Sequence, residues 1–90
     1  MANPKKILVI DDDPDTVTYL ITLFKDNGYG TISAEDGFEA LEILKKEKPD
    51  LITLDLQMPK NTGTDFYRKT RHNKEYNSII KNNFVIIYNL

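Results

Sequence analysis

Two short apolar runs, Ile7–Ile10 and Leu51–Leu54, punctuate the first two thirds of the chain, and each ends at an acidic residue. The first, Ile7-Leu8-Val9-Ile10, is β-branched and lacks polar alternation, the pattern of a central strand buried on both faces of a parallel sheet. Asp11-Asp12-Asp13 ends it abruptly. Asp13 then reads as a helix N-cap with Pro14 at the first helical position. Val17, Leu20, Ile21 and Phe24 follow at i, i+3, i+4 and i+7, one apolar stripe that Asn27-Gly28 closes. A modest strand is predicted over Tyr29 to Ser33, and Asp36 caps a second helix that turns Ala40, Leu41 and Leu44 inward, with Glu42 and Lys46 as a surface pair. Lys48-Pro49 stops that helix. Asp50 to Asp55 is the third strand, and Leu56 to Thr62 a loop. Gly63 opens a third helix to about Arg71, with Phe66 and Tyr67 on its inner face and Thr70 a poor core residue beside them. Phe84-Val85-Ile86-Ile87-Tyr88 is a fourth strand, the one apolar run in a tail (residues 73–90) that carries five asparagines.

Strands alternating with helices over short loops define an α/β domain, and the connections predict a doubly wound parallel sheet with right-handed crossovers. Ninety residues make one domain. A chain of that size buries roughly 65% of its unfolded surface, enough for a single core.

Composition narrows the chemistry. With no cysteine and one histidine, His72, the chain has no disulfide, thiolate site or multi-histidine metal site. The net charge of −2 conceals an asymmetry: residues 1–59 hold 12 acids against 6 bases, and residues 60–90 hold 2 against 6. The bases (Lys60, Arg68, Lys69, Arg71, Lys74 and Lys81) are spread out with little aromatic interleaving, which favours a solvated face over nucleic-acid binding. No stretch approaches the ~20 apolar residues of a membrane span, and the four-residue run Ile7–Ile10 is too short for a signal peptide, so the expected location is cytoplasmic.

The acids are concentrated where ligands of open α/β sheets bind, at the carboxyl ends of strands. Asp55 ends the third strand and Asp11 and Asp12 end the first; if those strands are neighbours, three carboxylates converge. A divalent cation would relieve their repulsion, and an all-oxygen set with room for water suits Mg²⁺. Helix capping and dipole stabilisation account for Asp13 but leave Asp11 and Asp12 unexplained. A turn role alone would suffice for an isolated Asp55.

Ile7-Leu8-Val9-Ile10-Asp11-Asp12-Asp13, Asp55-Leu56-Gln57-Met58-Pro59 with Gly63, and Ala34-Glu35-Asp36-Gly37-Phe38-Glu39-Ala40-Leu41 together resemble the receiver (CheY-like) domain of two-component response regulators, over residues 5 to about 72. The resemblance implies a flavodoxin-like sheet of order 2-1-3-4. It further implies that Asp55 accepts a phosphoryl group from a sensor histidine kinase or phosphotransfer protein. Asp12 would bind Mg²⁺ directly and Asp11 mainly through water, with Asp55 and the backbone carbonyl of Gln57 completing the protein ligands. The Gln57 side chain would tune loss of the phosphoryl group, and Met58-Pro59 and Gly63 would shape the loop.

The tail departs from the family pattern. The Ser or Thr that ends the family's fourth strand falls near Tyr88 or Asn89, and nothing matches the lysine of its fifth strand. The expectation is an incomplete receiver over residues 1–90, without the fifth strand and fifth helix, with phosphorylation impaired and a fourth strand or uncovered sheet face prone to self-association. Two other readings compete: an aspartyl-nucleophile phosphohydrolase fragment, which Asp11-Asp12-Asp13-Pro14-Asp15 half matches, and an interaction module that is never phosphorylated. A calcium loop on Asp11, Asp13 and Asp15 fails, since Thr16 and Thr22 stand where it needs glycine and glutamate.

Overall fold

In the computed structural model of the chain, residues 5–56, 58, 62–72 and 84–88 are described. They form β1 (Lys6–Ile10), α1 (Pro14–Asp26), β2 (Gly30–Ala34), α2 (Gly37–Leu44), β3 (Leu51–Asp55), α3 (Thr62–His72) and β4 (Phe84–Tyr88). The strands make one parallel sheet in the order β2-β1-β3-β4. From β1 the chain steps outward to β2, then returns past β1 to β3 and β4. Right-handed crossovers with that reversal put α1 on one face and α2 and α3 on the other. The reversal point lies between β1 and β3, so the expectation that the first and third strands are neighbours holds.

The alternation of side chains along each strand then assigns the two faces. Leu8 and Ile10 of β1, Ala34 of β2, and Ile52 and Leu54 of β3 meet Ala40 and Leu44 of α2, Phe66 of α3 and Met58 in a single buried cluster. On the opposite face Ile7 and Val9 are buried too, as a central strand requires. The stripe Val17, Leu20, Ile21 and Phe24 of α1 is half-buried throughout, and no residue of that helix is fully buried.

Local chemistry fixes the helix ends. Asp13 caps α1: its Oδ2 accepts from the Thr16 hydroxyl at 2.6 Å and from the Thr16 amide at 3.3 Å. The Thr16 hydroxyl bond holds the Asp13 carboxyl below the usual carboxylate range. A depressed folded-state value stabilises above the unfolded value, so this cap contribution is lost as pH falls through the lowered one. At the other end Gly28 takes a left-handed φ of 88°, and the amides of Gly28 and Tyr29 donate back to the carbonyls of Lys25 and Phe24, both at 3.0 Å. The Phe24 and Tyr29 rings close this cap edge-to-face, 6.5 Å apart.

Two local expectations are corrected. Thr70 is fully buried despite being a poor core residue by type, because its hydroxyl lies 3.0 Å from the carbonyls of both Phe66 and Tyr67 and so satisfies itself on its own helix. The surface pair on α2 is Glu42–Lys45 at 3.0 Å rather than Glu42–Lys46. The helix ends at Leu44 and its last turn tightens to i→i+3 bonds, from the Lys45 amide to Glu42 and the Lys46 amide to Ile43, which favours the residue three along. The strand boundaries shift slightly: β2 runs Gly30–Ala34 and β3 Leu51–Asp55.

Thr53 is the polar exception inside the sheet. It is buried between Val9 and Ile86 in register, and its Oγ1 has no hydrogen-bond partner among the described residues. Valine has the same shape without the stranded hydroxyl, so Thr53→Val is expected to stabilise the fold by about 1 kcal/mol. A higher urea midpoint at unchanged slope is the expected readout. A lower midpoint would mean that the hydroxyl is satisfied in solution.

Candidate metal and phosphoryl site

Register brings the acids together. Ile10 pairs with Leu54 across β1 and β3, so the residues that follow, Asp11 and Asp55, emerge side by side at the carboxyl edge. The Asp11 amide donates to the Ala34 carbonyl at 3.1 Å, extending the β1–β2 ladder by one residue, and this holds Asp11 at the strand end. Its Oδ1 accepts from the Asp13 amide at 2.9 Å, folding the chain back toward the start of α1. One carboxylate oxygen from each of Asp11, Asp12 and Asp55 can be chosen so that all three lie within 4.8 Å of one another. Asp11 and Asp55 are buried and Asp12 is exposed, so the cluster is rooted in the sheet and open on one side.

That donor set fits a hard divalent cation. It is all oxygen, it carries three negative charges at close quarters, and its exposed side leaves room for water. At an effective dielectric of about 20, two carboxylates 4.8 Å apart repel by roughly 3 kcal/mol, which a cation would offset. Asp13, by contrast, is committed to capping α1 and is no member of the cluster. Gln57 and Pro59 lie outside the described residues, as does Asn89. Tyr88 pairs with Asp55 in the β3–β4 register, at the position expected for the end of the fourth strand.

Gly63 does more than turn the chain. A Cβ at this residue would run into the backbone carbonyl of Asp55 and come within 3.1 Å of the Leu56 Cα and 3.2 Å of the Met58 Cε. The start of α3 therefore rests directly on the end of β3, and glycine is what lets it do so. Beside the cluster, a cavity of about 200 Å³ lies between the start of α1 and the end of β2, with Asp11 and Asp12 on one wall and Thr18, Ser33 and Glu35 on others. None of those three residues was given a site role from sequence. Their only signal there is that Ser33 and Glu35 flank the carboxyl end of β2, on the same edge as the acids.

A doubly wound domain with an acidic cluster at its topological switch point defines a class of ligand-binding α/β modules. The profile of the response regulator receiver domain matches residues 7–82. The chain belongs to the response regulator receiver family. It is 46% identical over 70 residues to the alkaline phosphatase synthesis transcriptional regulatory protein PhoP of Bacillus subtilis, covering 78% of this chain and 29% of that protein. With the sporulation initiation phosphotransferase F of the same species it shares 36% identity over 67 residues, covering 74% of this chain and 54% of the relative. Among solved structures, the chemotaxis response regulator CheY4 of Vibrio cholerae superposes with a TM-score of 0.81 at 30% identity, over 93% of this chain and 67% of that one. The chain thus spans about half or less of the length of these curated relatives. The family assignment favours the receiver reading over the phosphohydrolase one: this is a receiver domain of the two-component type. No helix among the described residues is long and apolar enough to cross a membrane.

Proposed function

We propose that Asp55 of this receiver domain is its phosphoryl acceptor and that Asp11, Asp12 and Asp55 hold the Mg²⁺ on which the transfer depends. The observation that carries the proposal is the convergence of three carboxylates at the β1/β3 carboxyl edge. A carboxylate oxygen of Asp55 attacks phosphorus in line, the bond from phosphorus to the donor histidine nitrogen breaks, and an acyl phosphate forms. The sheet fixes the attacking group, since Asp55 is 8% exposed at the end of a paired strand. Asp12, the exposed member, contributes charge on the open side, while Asp11 is oriented by the Asp13 amide. The carbonyl of Gln57 completes the protein ligands in this reading, and its side chain tunes loss of the phosphoryl group. Bound Mg²⁺ supplies charge neutralisation for the transferred group. The donor is a sensor histidine kinase or phosphotransfer protein of the cytoplasm.

Mg²⁺ titration followed by exposure to acetyl phosphate tests this reading. Mg²⁺ is expected to bind the chain and to bind at least tenfold more weakly to Asp12→Asn, the loss typical of a charged ligand. Label retained in Asp55→Asn would place the acceptor elsewhere and overturn the proposal.

Self-association is part of the same reading. Among the described residues β4 stands at one end of the strand order β2-β1-β3-β4, the α1 stripe is incompletely buried, and Tyr19 (67%) and Leu23 (42%) are exposed on that helix. Edge strands and apolar faces of this kind invite pairing with another copy. Light scattering is expected to show a mass that rises above the monomer's as concentration increases. A constant monomer mass up to high concentration would contradict it.

A further inference from the structure

The basic residues of α3 divide between two sides of the helix. Lys69 reaches back over α2, its Nζ 5.3 Å from the centre of the Phe38 ring. Arg68, Arg71 and His72 instead share a stripe with Thr64 and Tyr67, and these five line an open groove of about 310 Å³. Arg71 does not simply extend into solvent. Its Nη1 donates to the Tyr67 hydroxyl at 2.7 Å, and its guanidinium carbon lies 5.4 Å from the centre of the same ring. That double hold fixes a guanidinium in place before any ligand arrives, which lowers the entropy cost of using it. The ion pair recorded on this stripe among the described residues is Arg68–Asp65, whose 3.9 Å separation leaves the Arg68 charge only loosely matched.

We propose that this groove docks a short acidic segment of a partner protein: an extended stretch with aspartate or glutamate beside an apolar residue. The guanidiniums of Arg68 and Arg71 take the carboxylates, and the methylene stems and half-buried Tyr67 receive the apolar neighbour. Length agrees with this occupant. From Thr64 to His72 the helix rises about 12 Å, the span of three to four extended residues. A nucleic-acid strand fits less well. It needs a longer cationic track and open aromatic faces for base stacking, whereas here the track is one short stripe and Arg71 already lies against Tyr67. The groove is also separate from the acidic site. α3 starts against the end of β3 and runs back toward the opposite edge of the sheet, so its basic last turns lie away from Asp55. Its failure and that of the phosphoryl reading are therefore distinguishable.

Fluorescence anisotropy on the full 90-residue chain, with three labelled 12-residue probes, tests the proposal. The probes are an Asp-Leu repeat peptide, a Lys-Leu repeat peptide and a single-stranded oligouridylate. The acidic peptide is expected to bind, and to bind about tenfold more weakly to Arg71→Ala or Arg68→Ala, the loss typical of a charged interface contact. Tyr67→Phe keeps the ring and removes only the hydroxyl that holds Arg71, so a loss of a few-fold is expected. Lys5→Ala, a cation off the stripe, serves as the control and leaves binding unchanged. Mg²⁺ affinity should not move in any of these variants. Equal binding of the acidic and basic peptides, tighter binding of the oligouridylate, insensitivity to Arg71→Ala, or no binding of the acidic peptide at millimolar concentration would each overturn the proposal.

Discussion

Gly63→Ala is expected to destabilise the domain by about 2–4 kcal/mol, more than most single exposed-loop substitutions, through steric conflict alone. The new methyl group meets the carbonyl oxygen of Asp55 and the Cα of Leu56, which are backbone atoms and cannot rotate aside. Only Met58, through its flexible side chain, can yield. Relief requires the first turn of α3 to lift off the end of β3, and Phe66 and Met58 lie in the core that this movement disturbs. For a domain of this size the loss corresponds to a melting temperature lower by on the order of 10–25 °C. Gly30→Ala is the matched control. Its Cβ would find Lys6 Cγ at 3.6 Å and the Lys5 carbonyl at 3.8 Å, ordinary contacts, so its melting temperature should change little. Thermal denaturation of the two variants side by side checks the prediction. Equal effects would mean that helix or strand propensity governs the loss at Gly63, and that the close approach to Asp55 is relaxed in solution.

The two glycines also mark what the sequence could and could not disclose. Most elements were legible because they carry a local signal: apolar runs for β1 and β3, which are buried on both faces, an Asp-Pro start and an Asn-Gly stop for α1, and Asp36 ahead of α2. A doubly wound parallel sheet followed from connection lengths and handedness, whereas the order that sets Asp11 beside Asp55 came from the resemblance to receiver domains. By contrast, Gly63 read only as the residue that opens α3 and shapes the loop before it, because nothing local says that a carbonyl eight residues earlier will occupy the space of its side chain. Thr70 read as misplaced for the corresponding reason. Its hydroxyl is satisfied by carbonyls of its own helix, a pairing visible only once the inner face of α3 is known. The Glu42 pair moved from Lys46 to Lys45 because the last turn of α2 tightens, and side-chain spacing rules assume a regular helix. In each case the element was readable and the particular contact its side chain makes was not.

Asp55→Asn separates the charge of the site from its chemistry, and the two should respond in opposite directions. Without metal, the wild-type chain holds three carboxylates with oxygens within 4.8 Å, two of them buried, and their repulsion opposes folding. The asparagine keeps the shape and removes one charge, so the metal-free variant is expected to be more stable than wild type, by about 1–3 kcal/mol. With Mg²⁺ the order should narrow or reverse. A ligand that binds only the folded chain stabilises it by about 2.7 kcal/mol at one hundred times its dissociation constant, and the variant, with one carboxylate fewer, gains less. Phosphoryl acceptance should vanish altogether, since the neutral amide replaces the anionic carboxylate oxygen that attacks phosphorus. Urea unfolding with and without Mg²⁺, paired with acetyl phosphate labelling, reads all three effects from one protein preparation. A metal-free Asp55→Asn chain less stable than wild type would show that the Asp55 carboxylate is held by favourable contacts that outweigh repulsion from Asp11 and Asp12. The acidic cluster would then be a structural hydrogen-bonding centre first and a cation site second.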